Sequence, residues 1–436
     1  MPARAQPVNV ASLVLLLGGV AAVLAAFLAR SGFTGRAHVV GIDLGTTYSV
    51  VAIAQQKTVH VIPDADGAVL IPSTVAYLPH GNVLVGHKAR AHRTIDPKHT
   101  IFNAKRFIGQ RYETVVHELA TWPYEFQVKA HADGSVCFAL DVPGHPDCVT
   151  PIDVGAAVVR YLRTMATRFV GHTQLTKAVV AVPVDFDATR RNATVAAFHA
   201  AGFHVSRVLE EPTAAAIAYG LHHAPNASFV LVFDFGGGTL DVSLLFARQG
   251  AINVVDTLGD NHLGGEDLDA ALTAWLVKEL ETQGGGRPLA SLETEGWTQA
   301  EEEHTTEQVP PCTLAGVRVA AEALKRQLTY AATATASCMT RGDASGPPVR
   351  AHVEMTRAQL EALCRPLLDR TMLPVRDILA ANHMQPDDID AVVLVGGSSR
   401  LPWVRARLTA MFHGRAPLSD IDPDLAVAYG AARTLD

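Results

Sequence analysis

Hydrophobic positions along the chain group into short apolar runs, and two pairs of these runs share one design. The segment HVVGIDLGTTYSVVAIA at 38–54 is a β-branched run, a tight turn of Asp, Gly and Thr, and a second apolar run. The segment SFVLVFDFGGGTLDVSLLFA at 228–247 has the same order of features. Apolar runs joined by Gly-rich turns are typical of β-hairpins. The repeat predicts two lobes, with lobe I over residues 38–227 and lobe II over residues 228–436.

Further elements follow each predicted hairpin. Helical periodicity covers 154–170, and the β-branched run at 177–184 predicts a strand. The segment EPTAAAIAYGL at 211–221 has Pro near its start and Gly near its end, which is typical of helix boundaries. The segment AVVLVGGSSR at 391–400 predicts a buried strand followed by a polar turn. Residues 284–311, with GGG, EEE and PP, predict a surface loop.

The N-terminal segment is apolar throughout. Residues 10–28 carry no charge, and a helix of that length extends about 29 Å, close to the ~30 Å hydrocarbon core of a bilayer. Arg4 precedes the segment, and Arg30 and Arg36 follow it. We therefore expect residues 1–37 to form a signal peptide or a signal anchor. A buried core helix is the less favoured alternative.

Composition narrows the class of protein. A chain of 436 residues with 48% hydrophobic content is long enough for more than one large core. The net charge of −7 and the lack of a basic run argue against a nucleic-acid partner. None of the five cysteines forms a CxxC pair, which argues against a zinc knuckle, and the number argues against a disulfide scaffold. One bridge, such as Cys137 to Cys148, stays open without support from the sequence.

The Gly-Thr turns of the two hairpins suggest phosphate binding. Glycine leaves backbone N–H groups uncovered, and clusters of such groups bind anions. A strand-end Asp can hold Mg²⁺ through water, because Mg²⁺ prefers oxygen ligands and keeps several waters. One such turn is most often only a turn, but two of them predict a clamp on both ends of a triphosphate. The sequence has neither GxxxxGK[ST] nor a GxGxxG after a strand, so P-loop and dinucleotide-binding folds are excluded.

Eight motifs occur in one order along most of the chain. They are GIDLGTTYS, AKRFIG, EPTAAAIAYG, FDFGGGTLDVS, HLGGEDLD, EALKRQL, VLVGGSSR and DPDLAVAYGAA. From about residue 38 onward the sequence resembles the ATPase domain of the 70-kDa heat-shock chaperone family. The resemblance implies an α/β, two-lobed, actin-like (ribonuclease H-like) ATPase fold with a nucleotide cleft between the lobes, plus an N-terminal hydrophobic helix.

Two further features narrow this resemblance. The chain starts with the apolar segment, and it ends at Asp436, before the family's interdomain linker and peptide-binding domain. This combination resembles the microsome-associated "ATPase core" branch of the family. It implies a chain without its own peptide-binding domain.

The resemblance implies a catalytic group of five residues. Lys105, in AKRFIG, corresponds to the family's catalytic lysine, whose charge stabilises an in-line transition state and positions water. Asp43 and Asp234 would order the water molecules around Mg²⁺. Glu211 and Asp241 would help to orient the attacking water and the metal shell.

The resemblance also implies ATP or ADP as the bound nucleotide, with Mg²⁺. The expected phosphate loops are Gly45, Thr46, Thr47 and Tyr48, and Gly236, Gly237, Gly238 and Thr239. The expected adenosine contacts are Glu322, Lys325, Arg326, Gly396, Gly397, Ser398, Arg400 and Asp424.

Three functions stay open. The first is a slow ATPase core of a heat-shock chaperone in the secretory pathway, working with a nucleotide-exchange factor. A J-domain protein is a less certain partner, because the linker that takes part in its action is missing. The second is a nucleotide-binding interaction module with little turnover, and the third is an actin-fold small-molecule kinase. We expect a monomer that contacts a membrane only through its N-terminal segment, if that segment is not cleaved.

The expected location is the lumenal face of the endoplasmic reticulum, or secretion if the signal is cleaved. Two Asn-x-Ser/Thr sequences, at Asn192 and Asn226, would be glycan acceptors in such a compartment. Asn226 follows Pro225 in a polar stretch, so we expect it to be the more accessible of the two. Asn192 is expected near a helix start, where it would be partly hidden.

Overall fold

The computed structural model describes residues 10–30, 39–56, 58–121, 124–171, 175–224, 228–283, 309–310, 312–341 and 348–434. The strands are β1 (Val39–Leu44), β2 (Tyr48–Gln55), β3 (Thr58–Val61), β4 (Ile71–Pro72), β5 (Val75–Leu78), β6 (Asn82–Val85), β7 (Thr100–Ile101), β8 (Val128–Ala130), β9 (Val136–Ala139), β10 (Cys148–Val149), β11 (Lys177–Val182), β12 (His204–Glu210), β13 (Phe229–Phe235), β14 (Leu240–Arg248), β15 (Ala251–Asp260), β16 (Thr333–Arg341), β17 (Pro348–Thr356) and β18 (Ala391–Val395).

The helices are α1 (Val10–Arg30), α2 (His87–His92), α3 (Ala104–Phe107), α4 (Tyr112–Thr121), α5 (Pro151–Val170), α6 (Ala188–Ala200), α7 (Glu211–Ala218), α8 (Gly265–Gln283), α9 (Leu314–Tyr330), α10 (Arg357–Leu363), α11 (Arg365–Arg370), α12 (Leu373–Ala381), α13 (Pro402–Met411) and α14 (Ala426–Arg433).

The apolar N-terminal segment forms helix α1, and its side chains at 14–27 are exposed. Within the ranges given above, no helix has both the length and the apolar character needed to cross a membrane.

Lobe I is built on a six-stranded sheet in the order β12-β11-β1-β2-β3, with β4 paired to β2. The predicted first hairpin is present, since β1 pairs antiparallel with β2. On its other side β1 pairs parallel with β11. This strand was predicted over residues 177–184, and it ends two residues earlier, at Val182. Helix α5 packs against this sheet and begins with a capping box, in which Thr150 and Asp153 bond to each other's backbone N–H.

Two small sheets extend lobe I, in the orders β6-β5-β7 and β10-β9-β8. A disulfide joins Cys137 on β9 to Cys148 on β10, with the Cα atoms 5.9 Å apart. This is the pair that the sequence left open. On helix α6, Asn192 is exposed, contrary to the expectation that it would be partly hidden. Asn226 lies outside the described residues.

Lobe II has a four-stranded sheet in the order β15-β14-β13-β18. The second predicted hairpin is present as the antiparallel pair β13 and β14, and β13 pairs parallel with β18. Strands β1 and β13 therefore hold equivalent places in the two sheets. Most of the predicted loop at 284–311 lies outside the described residues.

A second disulfide, between Cys312 and Cys338, was not predicted. It joins the residue just before the N-cap of α9 to strand β16, with the Cα atoms 4.9 Å apart. Cys364 is a free, buried thiol. Four of the five cysteines are therefore paired, although their spacing in the sequence gives no sign of it.

The end of the chain returns to lobe I. The buried residues Ala428 and Ala432 of α14 pack against Val50 and Ala52 of β2. Helix α14 also packs along α7, whose Pro212 lies in its first turn, as predicted from the sequence. Helix α7 ends at Ala218, two residues before Gly220, whose left-handed φ of 71° agrees with the predicted stop at this glycine.

Candidate active site

The turns of the two hairpins face each other across the space between the lobes. In the second turn, Gly236 N–H donates to Thr239 O at 3.1 Å. The next residue, Gly237, faces the first turn, and a Cβ built on it would lie 2.1 Å from Thr47 Oγ1. A side chain at position 237 would therefore have to displace the Thr47 side chain or push the two turns apart. An added Cβ at position 238 would likewise lie 2.6 Å from the Arg106 guanidinium, whereas at position 236 it would make only an ordinary contact of 3.8 Å with Thr239 O, so close approach accounts for two of the three glycines.

A cavity of about 880 Å³ lies between the two turns and extends along the cleft. This volume is in the range of small-molecule and cofactor sites. The cavity is lined by all of the site residues predicted from the sequence, namely Asp43, Gly45, Thr46, Thr47, Tyr48, Lys105, Glu211, Asp234, Gly236, Gly237, Gly238, Thr239, Asp241, Glu322, Lys325, Arg326, Gly396, Gly397, Ser398, Arg400 and Asp424. The structure brings these residues together, and the role of each one stays a prediction.

A cluster of carboxylates surrounds one lysine at the phosphate end of the cavity. Lys105, on the short helix α3 of lobe I, places its Nζ 2.7 Å from Glu211 Oε1 at the start of α7. Asp43 lies on β1, and Asp234 lies directly opposite Asp241 in the β13–β14 pair. The two hairpins and two helix starts thus deliver five charged side chains to one place.

Burial and mutual repulsion shift the pKa values of these groups. Burial raises the pKa of Asp43 to about 7, although the Lys105 ammonium lowers it. Burial also raises the pKa of Asp241 to about 7, and the Glu211 carboxylate adds to the rise. The pKa of Asp234 lies well above its ordinary value, because burial and the neighbouring Glu211 and Asp241 carboxylates disfavour its charge. Burial lowers the pKa of Lys105, but Glu211 and Asp43 outweigh this effect and raise it overall.

The carboxylates of Asp43 and Asp234 fit a hydrated cation. Among the residues that the structure describes, no group of three or more His, Cys, Asp or Glu side chains is arranged to hold an ion directly. Buried carboxylates close to one another are, however, poorly compensated by a single lysine, and a cation favours their ionised forms. Mg²⁺ takes oxygen ligands and retains waters, so the donor set fits Mg²⁺ bound through its water molecules.

The other end of the cavity is formed by α9, by the turn after β18 and by Asp424. Arg400 Nη2 donates to Asp424 Oδ2 at 2.8 Å. Ser398 Oγ donates to Gly236 O at 2.8 Å and so ties this turn to the Gly-Thr turn of the second hairpin. Gly396 has a φ of 76°, a left-handed conformation that favours glycine.

Glu322 and Lys325 share a face of α9 but make separate contacts. Glu322 Oε1 accepts a hydrogen bond of 3.0 Å from the Tyr48 hydroxyl, and its other oxygen pairs with Arg90 of α2. Lys325 Nζ instead pairs with Asp269 Oδ2 at 2.8 Å. Tyr48, predicted as part of the first phosphate loop, therefore also reaches α9 of the opposite lobe.

Several residues that line the cavity were given no role from the sequence. They are Arg90, Asn103, Arg106, Glu266, Asp269, Tyr330 and Asp422. Four of them lie inside the motifs AKRFIG, HLGGEDLD and DPDLAVAYGAA, so the motifs themselves were a signal; they are Arg106, Glu266, Asp269 and Asp422. Arg90 and Asn103 contact distant segments, Glu322 and Glu266 respectively, for which the sequence offers no local pattern.

Comparison with known proteins agrees with this geometry. The sequence profile of the family described as "Hsp70 protein" matches residues 39–435. A "Chaperone protein HscA homolog" of Laribacter hongkongensis is 37% identical over 419 residues, which are 93% of this chain and 60% of that protein. A "Heat shock cognate HSP70 protein" of Trypanosoma brucei brucei is 38% identical over 90% of this chain and 55% of its own length.

A third relative, "Chaperone protein dnaK3" of Synechococcus elongatus, is 37% identical over 91% of this chain and 49% of its own length. The chain thus spans about half to three fifths of the length of these curated relatives. The profile match covers nearly all of the described part of the two lobes. The chain therefore belongs to the Hsp70 family, whose members are ATPases.

Proposed function

We propose that this chain binds Mg-ATP in the cleft between its lobes and hydrolyses it slowly, as the ATPase core of a chaperone. The observation that carries the proposal is the Lys105–Glu211 ion pair of 2.7 Å, which lies among Asp43, Asp234 and Asp241. A positive charge and fixed hydrogen-bond donors at a phosphate are what phosphoryl transfer requires of a protein.

The roles of individual residues follow from the geometry. The backbone N–H groups and hydroxyls of the two Gly-Thr turns would hold the phosphates from opposite lobes. Lys105 would face the terminal phosphate and stabilise the charge that develops there. Asp43 and Asp234 would hold the water shell of Mg²⁺, which supplies further charge compensation when it is bound. Asp241 and Glu211 would orient the attacking water.

Partners of the ATPase core are part of the same proposal. Hsp70-family proteins generally work with nucleotide-exchange factors and J-domain proteins, and we propose a nucleotide-exchange factor for this chain. Because the chain covers about half to three fifths of its curated relatives, the proposal concerns nucleotide turnover and not client binding.

The test is phosphate release by the purified full chain with ATP, with and without Mg²⁺. We expect slow release with Mg²⁺ that EDTA abolishes, and no need for a sugar. Tight ATP binding without release would favour the nucleotide-binding interaction module. Transfer of the phosphate to a sugar such as glucose would favour the kinase.

We also propose that the two lobes lie on the non-cytosolic side of a membrane, in an oxidising compartment such as the lumen of the endoplasmic reticulum. The support is the exposed apolar face of α1 and the two cysteine pairs, since disulfides persist mainly in oxidising compartments. Protease treatment of intact microsomes tests this location. We expect the protease to leave the ATPase lobes intact. Digestion of the lobes in intact microsomes, with no change of mobility on glycosidase treatment, would contradict this location.

A further inference from the structure

One carboxylate that has no assigned role contacts all three segments that handle the phosphates. Glu266 is the second residue of α8, in lobe II. Its backbone N–H donates to Gly237 O in the second phosphate turn at 2.8 Å. Its Oε1 accepts from Thr47 Oγ1 in the first phosphate turn at 3.1 Å. Its Oε2 accepts from Asn103 Nδ2 at 2.7 Å.

The third contact leads directly to Lys105. Asn103 is the N-cap of α3, the short helix that carries this lysine, and it is buried. It adopts a left-handed conformation with a φ of 57° and a ψ of 22°, which Asn tolerates better than most residues. Its carbonyl oxygen accepts from Arg106 N–H at 3.0 Å. The orientation of Asn103 therefore helps to set the direction of the helical turn from which Lys105 projects.

The contacts cross between the lobes. Thr47 and Asn103 belong to lobe I, whereas Glu266 is fixed to lobe II through its own backbone bond to Gly237. Each carboxylate oxygen accepts one hydrogen bond from a different segment of lobe I. A shift of one lobe against the other would have to break at least one of these bonds.

We propose that Glu266 is a positioning residue for ATP hydrolysis, which holds the two phosphate turns and the Lys105 helix at a fixed relative position. The inference rests on the proposed hydrolysis of Mg-ATP by this site. A misplacement of about 1 Å at a reacting centre can cost on the order of 10²-fold in rate. Loss of Glu266 therefore affects the chemical step more than the affinity for ATP.

The test is a set of variants measured by single-turnover hydrolysis and by ATP affinity. We expect Glu266→Ala to lower the rate by about 10- to 100-fold, while the ATP dissociation constant changes by about threefold or less. Glu266→Gln keeps most of the rate, because an amide can accept from Asn103 and donate to the Thr47 hydroxyl. Parental turnover by Glu266→Ala, or a Glu266→Gln variant as slow as Glu266→Ala, would overturn the proposal.

A double-mutant cycle with Asn103 isolates the contact. Asn103→Gly removes the amide donor and retains a residue that accepts the left-handed conformation. We expect it to slow hydrolysis, and we expect Glu266→Ala/Asn103→Gly to be no slower than the slower single variant. If the rate reductions of the two single variants multiply in the double variant, the two residues do not act through a shared contact. Asn103→Gly also decides the question if Glu266→Ala does not fold.

Glu279→Gln, on the same helix but outside the cavity, is the matched control and should turn over ATP like the parent. Thermal unfolding of each variant separates slow chemistry from loss of the fold. Failure of the parent itself to hydrolyse ATP would contradict the proposed function, and that outcome is distinct from a difference between parent and variants.

Discussion

Lys105 Nζ lies 2.7 Å from Glu211 Oε1, and each of these side chains is only about a tenth exposed. Breaking a buried ion pair is strongly destabilising, because removal of one partner leaves the other charge buried without compensation. Here the pair fixes the ammonium beside Asp43, at the edge where the two phosphate turns meet. Glu211, which we propose orients the attacking water, therefore also holds Lys105 in place.

Lys105→Ala should leave ATP binding largely intact and slow its hydrolysis by about 10²–10³-fold. The reason is that the ammonium stabilises charge that develops only in the transition state. Calorimetry gives the affinity, and phosphate release gives the rate. Lys278→Ala, at an exposed position of α8, is the control. Equal turnover by Lys105→Ala and the parent would remove this residue from the mechanism.

Gly237→Ala should weaken ATP binding by at least about tenfold, because the new methyl group would lie 2.1 Å from the position of Thr47 Oγ1. That overlap forces the two phosphate turns apart. Equilibrium titration with a fluorescent ATP analogue measures the loss. Gly19→Ala, with nothing within 4 Å of the added methyl group, controls for the substitution itself. Unchanged affinity in Gly237→Ala would mean that the turns do not need this close approach.

The stability of the nucleotide-free protein should fall as pH rises between about 4 and 7. Unfolded Asp has a pKa of about 4, whereas burial raises the pKa of Asp43 and Asp241 to about 7. Within this window the folded state keeps protons that the unfolded chain has lost, so a rise in pH favours unfolding. Thermal unfolding should also show a larger stabilisation by Mg-ADP at pH 8 than at pH 5.

Asp43→Asn isolates the contribution of that carboxyl from other titrating groups. The variant should be more stable than the parent at pH 8 and should show a weaker fall of stability with pH. An identical pH dependence in the variant and the parent would show that the pKa of Asp43 is not raised.

The Cys312–Cys338 bridge should stabilise lobe II and support the nucleotide site. Closing a loop with a sequence separation of 26 residues typically contributes about 3 kcal/mol. Because Cys312 directly precedes the N-cap of α9, which carries Glu322, its loss should also weaken ATP binding. Cys312→Ser/Cys338→Ser should therefore lower both the unfolding temperature and the ATP affinity.

Cys137→Ser/Cys148→Ser, which removes the bridge in lobe I, is the matched comparison. It should lower the unfolding temperature and leave the ATP affinity near that of the parent, since neither β9 nor β10 supplies a residue to the cavity. Equal effects of the two double variants on affinity would show that the lobe II bridge has no specific relation to the site.

Local patterns were enough to predict the elements that frame the site. Each hairpin is specified by neighbouring residues, because apolar runs and a Gly-Thr turn lie next to one another in the sequence. The helix at Glu211–Ala218 was predicted from Pro212, its alanines and the stop at Gly220, which lies two residues after its last residue. The predicted site residues all line one cavity; most of them lie at the ends and turns of these elements, and Glu322, Lys325 and Arg326 lie within α9.

Long-range contacts were not predictable from one sequence. Glu266 meets Thr47 across 219 residues of chain, and Arg90 meets Glu322 across 232 residues. Such pairs depend on how the lobes pack, and no turn or periodicity encodes them. The Cys312–Cys338 pair was missed for the same reason, since these two cysteines become neighbours only when α9 packs beside β16.

The most direct test of the account is a single turnover of preformed Mg-ATP complex by the purified full chain. The complex is isolated at low temperature, warmed, and followed for conversion of bound ATP to ADP and phosphate. We predict complete conversion in a single exponential phase, and a rate about 10²–10³-fold lower for Lys105→Ala. Bound ATP that stays intact in the parent, or equal rates in the parent and Lys105→Ala, would contradict the assignment of this cleft as an ATPase site built around Lys105.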